Sequence, residues 1–325
     1  MTKPSVSVVI PTFNRSRTLV RAVSSATNQM PGTVEVIVVD DGSADGTQER
    51  LRTEAPECRV ITFPCNRGRN AARNAGLIAA TGVWIKFLDS DDVLELGSLE
   101  REIAVGADAE ADVVASSFRA AKSEVGEGKV WDVPPLKDPP DCVLRGEAVP
   151  TSAALYRRSY VHDLLWDVKL KKLDDWDYFV RAVLKGGKVV TCPVVSYTWI
   201  EHKGQGIRAS SMLENAREHH AILRKMEEHL LERGILTAAR RERLAQYYYK
   251  ELRVLCLEDP PSFERAAAHI RELDPDFRPR DEERQRFMRI AAGALGFRLA
   301  LKGHTAVKRL VGRVRTGRQE RAAAG

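Results

Sequence analysis

The order of hydrophobic and polar positions over residues 5–118 alternates between two patterns. Short runs rich in β-branched residues are separated by longer stretches in which apolar residues recur every three or four positions. The first pattern is typical of buried strands and the second of amphipathic helices, so the alternation predicts β-α-β units around a mainly parallel sheet. The predicted strands cover residues 5–10, 34–39, 59–63, 83–88 and 112–117.

Two of the predicted helices, over residues 16–29 and 69–80, have a defined apolar face that should pack on the sheet. The face of the first helix carries Leu19, Ala22, Val23 and Ala26. The face of the second carries Ala72, Ala75, Ile78 and Ala79. Gly82 follows the second helix closely and is expected to act as its C-cap.

The character of the chain changes after residue 121. Residues 121–150 are rich in Gly, Pro and charge and predict a loop, followed by a helix over 175–184 and a strand over 188–197. Beyond residue 211 the pattern is helical throughout. Helices are predicted over residues 212–233, 236–257, 262–273 and 281–314. We therefore expect an α/β domain over residues 1–211 and a helical region over residues 212–325.

Composition narrows the class of protein. Of 325 residues, 43% are hydrophobic and 30% are charged, which excludes collagen-like and wholly disordered chains. The longest apolar runs fall far short of the roughly 20 residues that span a bilayer, and no signal-peptide pattern precedes the first strand. Five scattered cysteines form no C-x-x-C pair, and we interpret them as reduced thiols. These features predict a soluble, cytoplasmic protein.

The net charge of +6 is concentrated at the C-terminus. Residues 298–325 contain eight basic side chains and one acidic one, so the rest of the chain carries a net charge of −1. This asymmetry argues against a nucleic-acid-binding protein. The tail over residues 295–316 predicts either a basic amphipathic helix in peripheral contact with the inner face of a membrane, or ordinary packing with a solvated basic face. The number of amphipathic helices favours a homo-oligomer.

Acidic residues directly follow two of the predicted strands. Because open α/β sheets bind ligands at the carboxyl ends of their strands, Asp40 and Asp41 are candidates for hydrogen bonds to a base or ribose. Asp89 and Asp91 share one face of an extended chain. Such a carboxylate pair favours Mg²⁺ or Mn²⁺, with substrate phosphates completing the coordination. The alternative is that these acids only cap the helices that follow.

Two further groups of charged residues lie at predicted helix starts. Arg67, Arg69 and Arg73 favour phosphate binding, since helix N-termini and guanidinium groups both attract phosphate, although solvated surface arginines are the simpler alternative. Asp174 and Asp175 suit the dipole of the helix that they begin, which by itself explains them fully. Glycine-rich dinucleotide and P-loop motifs do not occur in the sequence, which argues against those two classes.

Taken in order, these segments resemble the family 2 inverting glycosyltransferases, which have the GT-A nucleotide-diphospho-sugar-binding fold. The strong resemblance covers residues 5–100 and none extends beyond residue 215. It rests on Val8-Val9-Ile10-Pro11-Thr12-Phe13-Asn14-Arg15, Val39-Asp40-Asp41-Gly42-Ser43-Ala44-Asp45-Gly46-Thr47, Asn66-x-Gly68…Ala72-Arg73-Asn74-x-Gly76 and Asp89-Ser90-Asp91, with Asp174-Asp175-Trp176-Asp177 as a moderate match.

The resemblance implies an α/β fold of GT-A type, with a Rossmann-like sheet flanked by helices and an added C-terminal helical region. The residues that it assigns to nucleotide-sugar binding are Pro11, Thr12, Asn14, Asp41, Arg73, Asp89 and Ser90. Within this set, Asp41 is expected at the base and Asp89 at the ribose. Asp91 is expected to ligate Mn²⁺ or Mg²⁺ at the diphosphate, and Asp175 to act as general base. The family usually has Glu-Asp at this point, which leaves Asp174 as the alternative base.

The implied function is that of an inverting glycosyltransferase of hexosyltransferase type. It moves a sugar from a nucleoside diphosphate donor, expected to be a UDP-sugar, to a hydroxyl of a saccharide, a polymer or a small natural product. One alternative is a non-catalytic nucleotide-sugar- or carbohydrate-binding module, which missing acids would support. Another is a sugar nucleotidyltransferase, which normally carries a Gly-rich basic loop where this chain has Pro11-Thr12-Phe13-Asn14.

Overall fold

The computed structural model describes residues 4–122, 128–133, 136–200, 212–258 and 260–278. It divides into two compact units, Met1–Arg208 and Ala209–Gly325. The strands of the first unit are β1 (Val6–Thr12), β2 (Val34–Asp40), β3 (Arg59–Thr62), β4 (Trp84–Phe87), β5 (Val93–Leu94), β6 (Val113–Ala121), β7 (Lys129–Trp131), β8 (Ala154–Arg157) and β9 (Val189–Ile200). Its helices are α1 (Ser16–Thr27), α2 (Thr47–Glu54), α3 (Arg69–Ala79), α4 (Ser98–Asp108), α5 (Asp141–Leu144), α6 (Arg158–Val161) and α7 (Asp174–Leu184), with a 3₁₀ turn at Thr151–Ala153.

These strands form one mixed sheet in the order β3-β2-β1-β4-β8-β6-β9-β5, with β7 paired to β6. The first four are parallel, as the β-α-β pattern predicts. The other half of the sheet is mixed: β6 and β9 are parallel, whereas β8 runs antiparallel to both of its neighbours and β5 runs antiparallel to β9. The parallel connections bring the carboxyl ends of β1, β2 and β4 to one edge, where the predicted site residues follow.

The core is built on β1, in which every residue is buried. A strand that is covered on both faces needs this continuous apolar run. The predicted inward face of α1 is confirmed, because its buried residues are Leu19, Ala22, Val23 and Ala26. The predicted face of α3 is confirmed at Ala72, which is buried, and is wrong at Ile78, which is 72% exposed; Asn70 and Arg73 are buried instead. Helix α3 turns its polar residues inward because they meet acceptors from other segments.

Two glycines allow close backbone packing around β1. A Cβ at Gly76 would lie 2.2 Å from Cγ1 of Val9, so glycine lets α3 rest directly on the strand. Gly82 does not end α3, which stops at Ala79. A Cβ at Gly82 would lie 2.5 Å from the backbone nitrogen of Ser7, so this glycine serves the contact between β1 and the start of β4.

The predicted loop over residues 121–150 contains the short strand β7 and the short helix α5. Strand β7 is three exposed residues paired with β6, and β5 is two residues paired with β9. The sequence pattern predicted neither strand, because two or three residues are too few to show a periodicity. Each strand is defined by its pairing with another strand, β9 for β5 and β6 for β7. The same pairing extends β6 and β9 beyond their predicted ends.

The second unit contains α8 (Met212–Glu232), α9 (Ala238–Glu258) and α10 (Pro260–Leu273). Leu223, Met226 and Phe263 are among its buried core residues. The predicted helix over residues 281–314 and the basic tail lie outside the described residues. Among those described, none of the helices combines the length and apolar character needed to cross a membrane. Cys58, Cys65, Cys142 and Cys192 are free thiols, in agreement with the prediction.

Candidate active site

The loop after β1 is fastened to the loop after β2. The backbone N–H of Asn14 donates to Oγ of Ser43 at 2.9 Å, and Ala44 donates its N–H to Oδ1 of Asn14 at 2.9 Å. Asn14 has φ of 51°, a left-handed conformation that asparagine tolerates better than most residues. Asp45 adds a third hydrogen bond between the two loops by accepting the N–H of Ser16 at 3.0 Å. The two loops therefore form one preorganised wall at the ends of their strands.

Asp40 and Asp41 accept hydrogen bonds from different segments of the chain. Asp40 is fully buried and accepts the N–H of Ser43 at 3.0 Å, which closes the turn. Asp41 is 2% exposed and accepts the N–H groups of Arg67 and Gly68 at 2.6 and 2.9 Å. It thus ties β2 to the loop before α3, while each carboxylate oxygen keeps a second lone pair for a ligand.

The end of β1 supplies an unsatisfied polar atom. Pro11 and Thr12 are both buried, and the Thr12 hydroxyl has no hydrogen-bond partner. The backbone oxygen of Thr12 accepts the N–H of Asp41 at 2.9 Å, which places the two residues side by side. Since buried polar atoms are nearly always paired, an orphaned hydroxyl at a strand edge indicates a place for a ligand or a water.

The segment after β4 brings several carboxylates together. Asp89 has a 41% exposed side chain, whereas Ser90 is buried. Asp91 has a 24% exposed side chain whose Oδ2 lies 3.6 Å from Nη2 of Arg15. Asp92 is buried, and its Oδ1 accepts the N–H of Ile200 at 3.2 Å. Burial, reinforced by the charges of Asp89 and Asp91, raises the pKa of Asp92 well above its usual range.

This turn has the donor chemistry for a hard divalent cation. Its exposed oxygens are carboxylates, and the charges of Asp89 and Asp91, which add to burial in raising the pKa of Asp92, are charges that a cation would offset. In the part of the chain that is described, groups of three His, Cys, Asp or Glu residues that could hold a metal by themselves do not occur. The residues present therefore fit Mg²⁺ or Mn²⁺ held by one or two carboxylates together with substrate phosphate oxygens.

Arg73 lies at the centre of the acidic residues. Its side chain is 1% exposed and donates to Oδ1 of Asp89 and to Oδ2 of Asp174, each at 2.8 Å. Its Nη1 also lies 3.6 Å from Asp175, and its guanidinium carbon lies 4.4 Å from the centroid of the Trp166 ring. Burial lowers the pKa of Arg73, but the surrounding carboxylates outweigh it and raise the pKa. Arg73 therefore stays charged and acts by holding the acids in place.

The two neighbouring aspartates at the start of α7 occupy opposite environments. Asp174 is 1% exposed and is neutralised by a bidentate contact from Arg69 and by Arg73. Burial raises the pKa of Asp174, but the two arginines prevail and lower it. Asp175 keeps 38% of its side chain exposed, and Thr151 donates its hydroxyl to Oδ1. Desolvation raises the pKa of Asp175 against the lowering effect of Arg73.

The 3₁₀ turn before β8 connects the two acidic segments, and the sequence analysis missed it. Thr151 contacts Asp175 through its hydroxyl, and its N–H lies 3.5 Å from Oδ2 of the same carboxylate. Its neighbour Ser152 accepts the N–H of Asp89 at 3.4 Å. A serine and a threonine outside any motif carry no visible signal, so the sequence alone could not have identified them.

A fully buried ion pair supports this turn from behind. Lys86 donates to both carboxylate oxygens of Glu102 at 2.9 Å and to Oγ of Ser196 at 2.6 Å. Ser196 in turn donates to the carbonyl oxygen of Ser152 at 3.4 Å. The sequence signal for this pair is Lys86 itself, which interrupts the apolar run Trp84-Ile85-Lys86-Phe87. A lysine in a buried strand needs a partner.

Two of the three arginines predicted to favour phosphate form ion pairs with aspartates, and their role toward phosphate stays a prediction. Arg69 and Arg73 are bound to aspartates, as described above, and Arg67 lies over the ring of Phe63 at 4.8 Å. The sequence pattern did not predict these ion pairs because the partners are far apart along the chain. The acids at the start of α7 lie about one hundred residues after Arg69 and Arg73. Spacing within α3 could not reveal them.

The sequence is similar to those of known proteins. The model for glycosyl transferase family 2 matches residues 7–165. Succinoglycan biosynthesis protein ExoO of Rhizobium meliloti (strain 1021) is 33% identical over 216 residues, which are 62% of this chain and 62% of ExoO. The chain thus matches less than two thirds of the length of this relative.

Two solved structures are similar in fold. S. aureus TarS 1-349, in complex with UDP-GlcNAc, matches with a TM-score of 0.69 at 18% identity, over 93% of this chain and 91% of that chain. The mannosyltransferase PcManGT from Pyrobaculum calidifontis, in complex with GDP-Man and Mn²⁺, matches with a TM-score of 0.52 at 19% identity, over 85% of this chain and 82% of that one. These similarities confirm the predicted fold class, an α/β fold of GT-A type followed by C-terminal helices.

Proposed function

The chain belongs, through residues 7–165, to glycosyl transferase family 2, and on this basis we propose that it transfers a sugar from a UDP-sugar to an acceptor hydroxyl with inversion. The observation that carries the proposal is the contrast between Asp174 and Asp175. Two arginines neutralise the first, whereas the second is accessible and has a raised pKa. Direct displacement at the anomeric carbon needs one accessible carboxylate that can take the acceptor proton.

The donor half of the proposed site is the wall formed by the ends of β1 and β2. Asp41 and the unsatisfied hydroxyl of Thr12 are side by side and supply an acceptor and a donor for the base, with Pro11 and Asn14 beside them. Asp89 and Ser90 follow β4 at the same edge and are assigned to the ribose. The UDP-GlcNAc complex of TarS, a protein of similar fold, supports a uridine donor.

Asp91 is assigned to a divalent cation, Mn²⁺ or Mg²⁺. When bound, the ion supplies Lewis-acid stabilisation of the charge that develops on the leaving diphosphate. The Mn²⁺ complex of PcManGT supports this assignment, as do the carboxylates after β4. Arg15, whose guanidinium lies 3.6 Å from the Asp91 carboxylate, adds a fixed positive charge at the same edge. The protein thus contributes a cation of its own next to the diphosphate position.

Asp175 is assigned as the general base. Its raised pKa makes the carboxylate a stronger base than an ordinary aspartate, while its exposure leaves it accessible to a substrate. Thr151 orients the carboxylate by donating its hydroxyl to Oδ1, and Arg73 stabilises its charged form. A positioned base of this kind contributes about 10² to 10⁴ in rate. Asp174 is the weaker candidate, because its carboxylate is buried and saturated by arginines.

The test is release of UDP from a panel of UDP-sugars in the presence of Mn²⁺, Mg²⁺ or EDTA, followed by transfer to added acceptors. Metal-dependent release is expected for the wild type, and its loss is expected for Asp91→Ala. Asp175→Asn should bind UDP with unchanged affinity but lose transfer. Asp108→Asn, an exposed aspartate of α4, is the matched control and should behave as wild type.

Two results would contradict the proposal. Absence of both UDP release and metal-dependent nucleotide binding would leave a carbohydrate-binding module or an unrelated activity as the better interpretation. Transfer at the wild-type rate by Asp175→Asn would remove Asp175 from the role of base. Contact of the basic tail with a membrane, self-association and the boundary at residue 211 stay predictions.

A further inference from the structure

A row of aromatic rings crosses three adjacent strands of the first unit. Phe118 of β6 lies directly opposite Trp131 of β7 and Tyr197 of β9 in the strand register. Its ring is stacked on Trp131, with centroids 6.3 Å apart and planes at 7°, and on Tyr197, with centroids 5.6 Å apart and planes at 19°. Exposure rises along the row, from buried Tyr197 to Trp131, which is 47% exposed.

The neighbouring row of the same face contains a small residue between two large ones. Ala120 of β6 lies opposite Lys129 of β7 and Trp199 of β9, and residues two apart on a strand share a face. Lys129 has its ammonium group 3.9 Å from the centre of the Trp131 ring, and Trp199 is 37% exposed. Ala120 therefore places a methyl group between two larger side chains. We call Phe118, Ala120, Trp131, Tyr197 and Trp199 the aromatic platform.

The opposite face of the same strands is closed by polar contacts. Glu95 accepts a hydrogen bond from the hydroxyl of Thr198 at 2.5 Å and one from Nε of Arg119 at 3.2 Å. These two residues alternate with the aromatic ones along β9 and β6. The aromatic side is therefore the apolar side of these strands, with Trp131 and Trp199 as its exposed residues, and the polar side is occupied by the protein itself.

The platform adjoins the carboxylates of the candidate active site. Strand β9 pairs with β5, directly after the Asp89–Asp92 turn, and the N–H of Ile200 donates to Asp92. Ser196, next to Tyr197, contacts the 3₁₀ turn whose Thr151 holds Asp175. Burial raises the pKa of Tyr197, and the negative charges of Asp92, Asp89 and Asp175 raise it further, which places its phenol within the electrostatic reach of that site.

We propose that the aromatic platform binds a sugar ring of the acceptor beside the carboxylates. This inference rests on the proposed function, since it names the acceptor side of that site. A pyranose ring has an apolar face of C–H groups that stacks on aromatic rings, and hydroxyls at its rim that accept hydrogen bonds from an ammonium group such as that of Lys129. Small-molecule sites combine aromatic walls with a few polar groups in this way.

The experiment measures UDP release with and without a panel of methyl glycosides, the α and β forms of glucose, galactose, mannose and N-acetylglucosamine. The variants are Trp131→Ala, Trp131→Phe and Trp199→Ala. The control is Ile78→Ala, which removes an exposed apolar side chain from α3. At least one glycoside should stimulate the wild type. Its kcat/KM should fall about fivefold in Trp131→Ala and only about twofold in Trp131→Phe, since an aromatic contact is worth about 1 kcal/mol.

The outcomes separate this inference from the function on which it rests. If the wild type releases UDP but none of the glycosides stimulates it, the aromatic platform is not a saccharide site and the proposed function stands. If Trp131→Ala reduces acceptor-free UDP release as strongly as it reduces acceptor-dependent transfer, the ring has a structural role and the inference is overturned. If the wild type releases no UDP from any donor, the proposed function fails and the inference fails with it.

Discussion

Replacement of Arg73 by methionine is expected to destabilise the first unit substantially. Arg73 is 1% exposed and its guanidinium donates to Asp89 and Asp174. Methionine keeps most of the apolar stem and removes the charge. The change leaves Asp174, which is also 1% exposed, with its ion pair to Arg69.

The magnitude follows from the burial of each partner. Breaking a buried ion pair costs about 3 to 5 kcal/mol. Two features favour the lower end of this range: Asp174 keeps a bidentate contact with Arg69, and Asp89 is 41% exposed, so that water replaces part of its interaction. A loss of about 3 kcal/mol corresponds to a decrease in Tm of about 6 to 12 °C for a domain of this size.

The assay is thermal unfolding followed by circular dichroism, with Arg69→Met as the matched variant. Arg69 contacts the same carboxylate but is 37% exposed, so its removal should cost less. The double variant Arg73→Met with Asp174→Asn should recover about half of the loss, because it removes the uncompensated charge. The reasoning is refuted if Arg73→Met is as stable as Arg69→Met, or if the double variant is no more stable than Arg73→Met.

Three further predictions concern a pH profile and two buried groups. Thr151→Val removes the hydroxyl that lowers the pKa of Asp175, so the acid limb of the transfer rate should move to higher pH, whereas Thr151→Ser should keep the wild-type profile. Lys86→Met leaves Glu102 as a buried charge and should lower the free energy of unfolding in urea by about 3 to 5 kcal/mol, and adding Glu102→Leu should restore most of it. Burial, aided by the neighbouring His219, lowers the pKa of His220 to about 4, so its contribution to stability is present above pH 6.5 and lost as the pH falls from 6.5 to 4. A smaller decrease in Tm between pH 7 and pH 5 is expected for His220→Phe than for the wild type.

Local patterns in the sequence were sufficient for the longer strands and helices of the first half of the sheet and for the edge at which the predicted site residues lie. The burial of both faces of β1 follows from its continuous apolar run, and the inward face of α1 follows from helical spacing. Asp41, Asp89 and Asp91 follow strands, and parallel strands bring such positions to one edge whatever the details of packing. Since these properties depend on neighbours a few residues apart, they can be predicted without a fold.

The tertiary structure decided the contacts that give each charged residue its role. Helical spacing places Arg73 and Ile78 on faces of α3 but does not say which face meets Asp174, about one hundred residues away. The difference between Asp174 and Asp175 is likewise set by arginines and a threonine from other segments. The aromatic platform exists only because β7, β6 and β9 pair in one register. Burial and charge environment depend on these long-range contacts, and neither is encoded in the local order of residues.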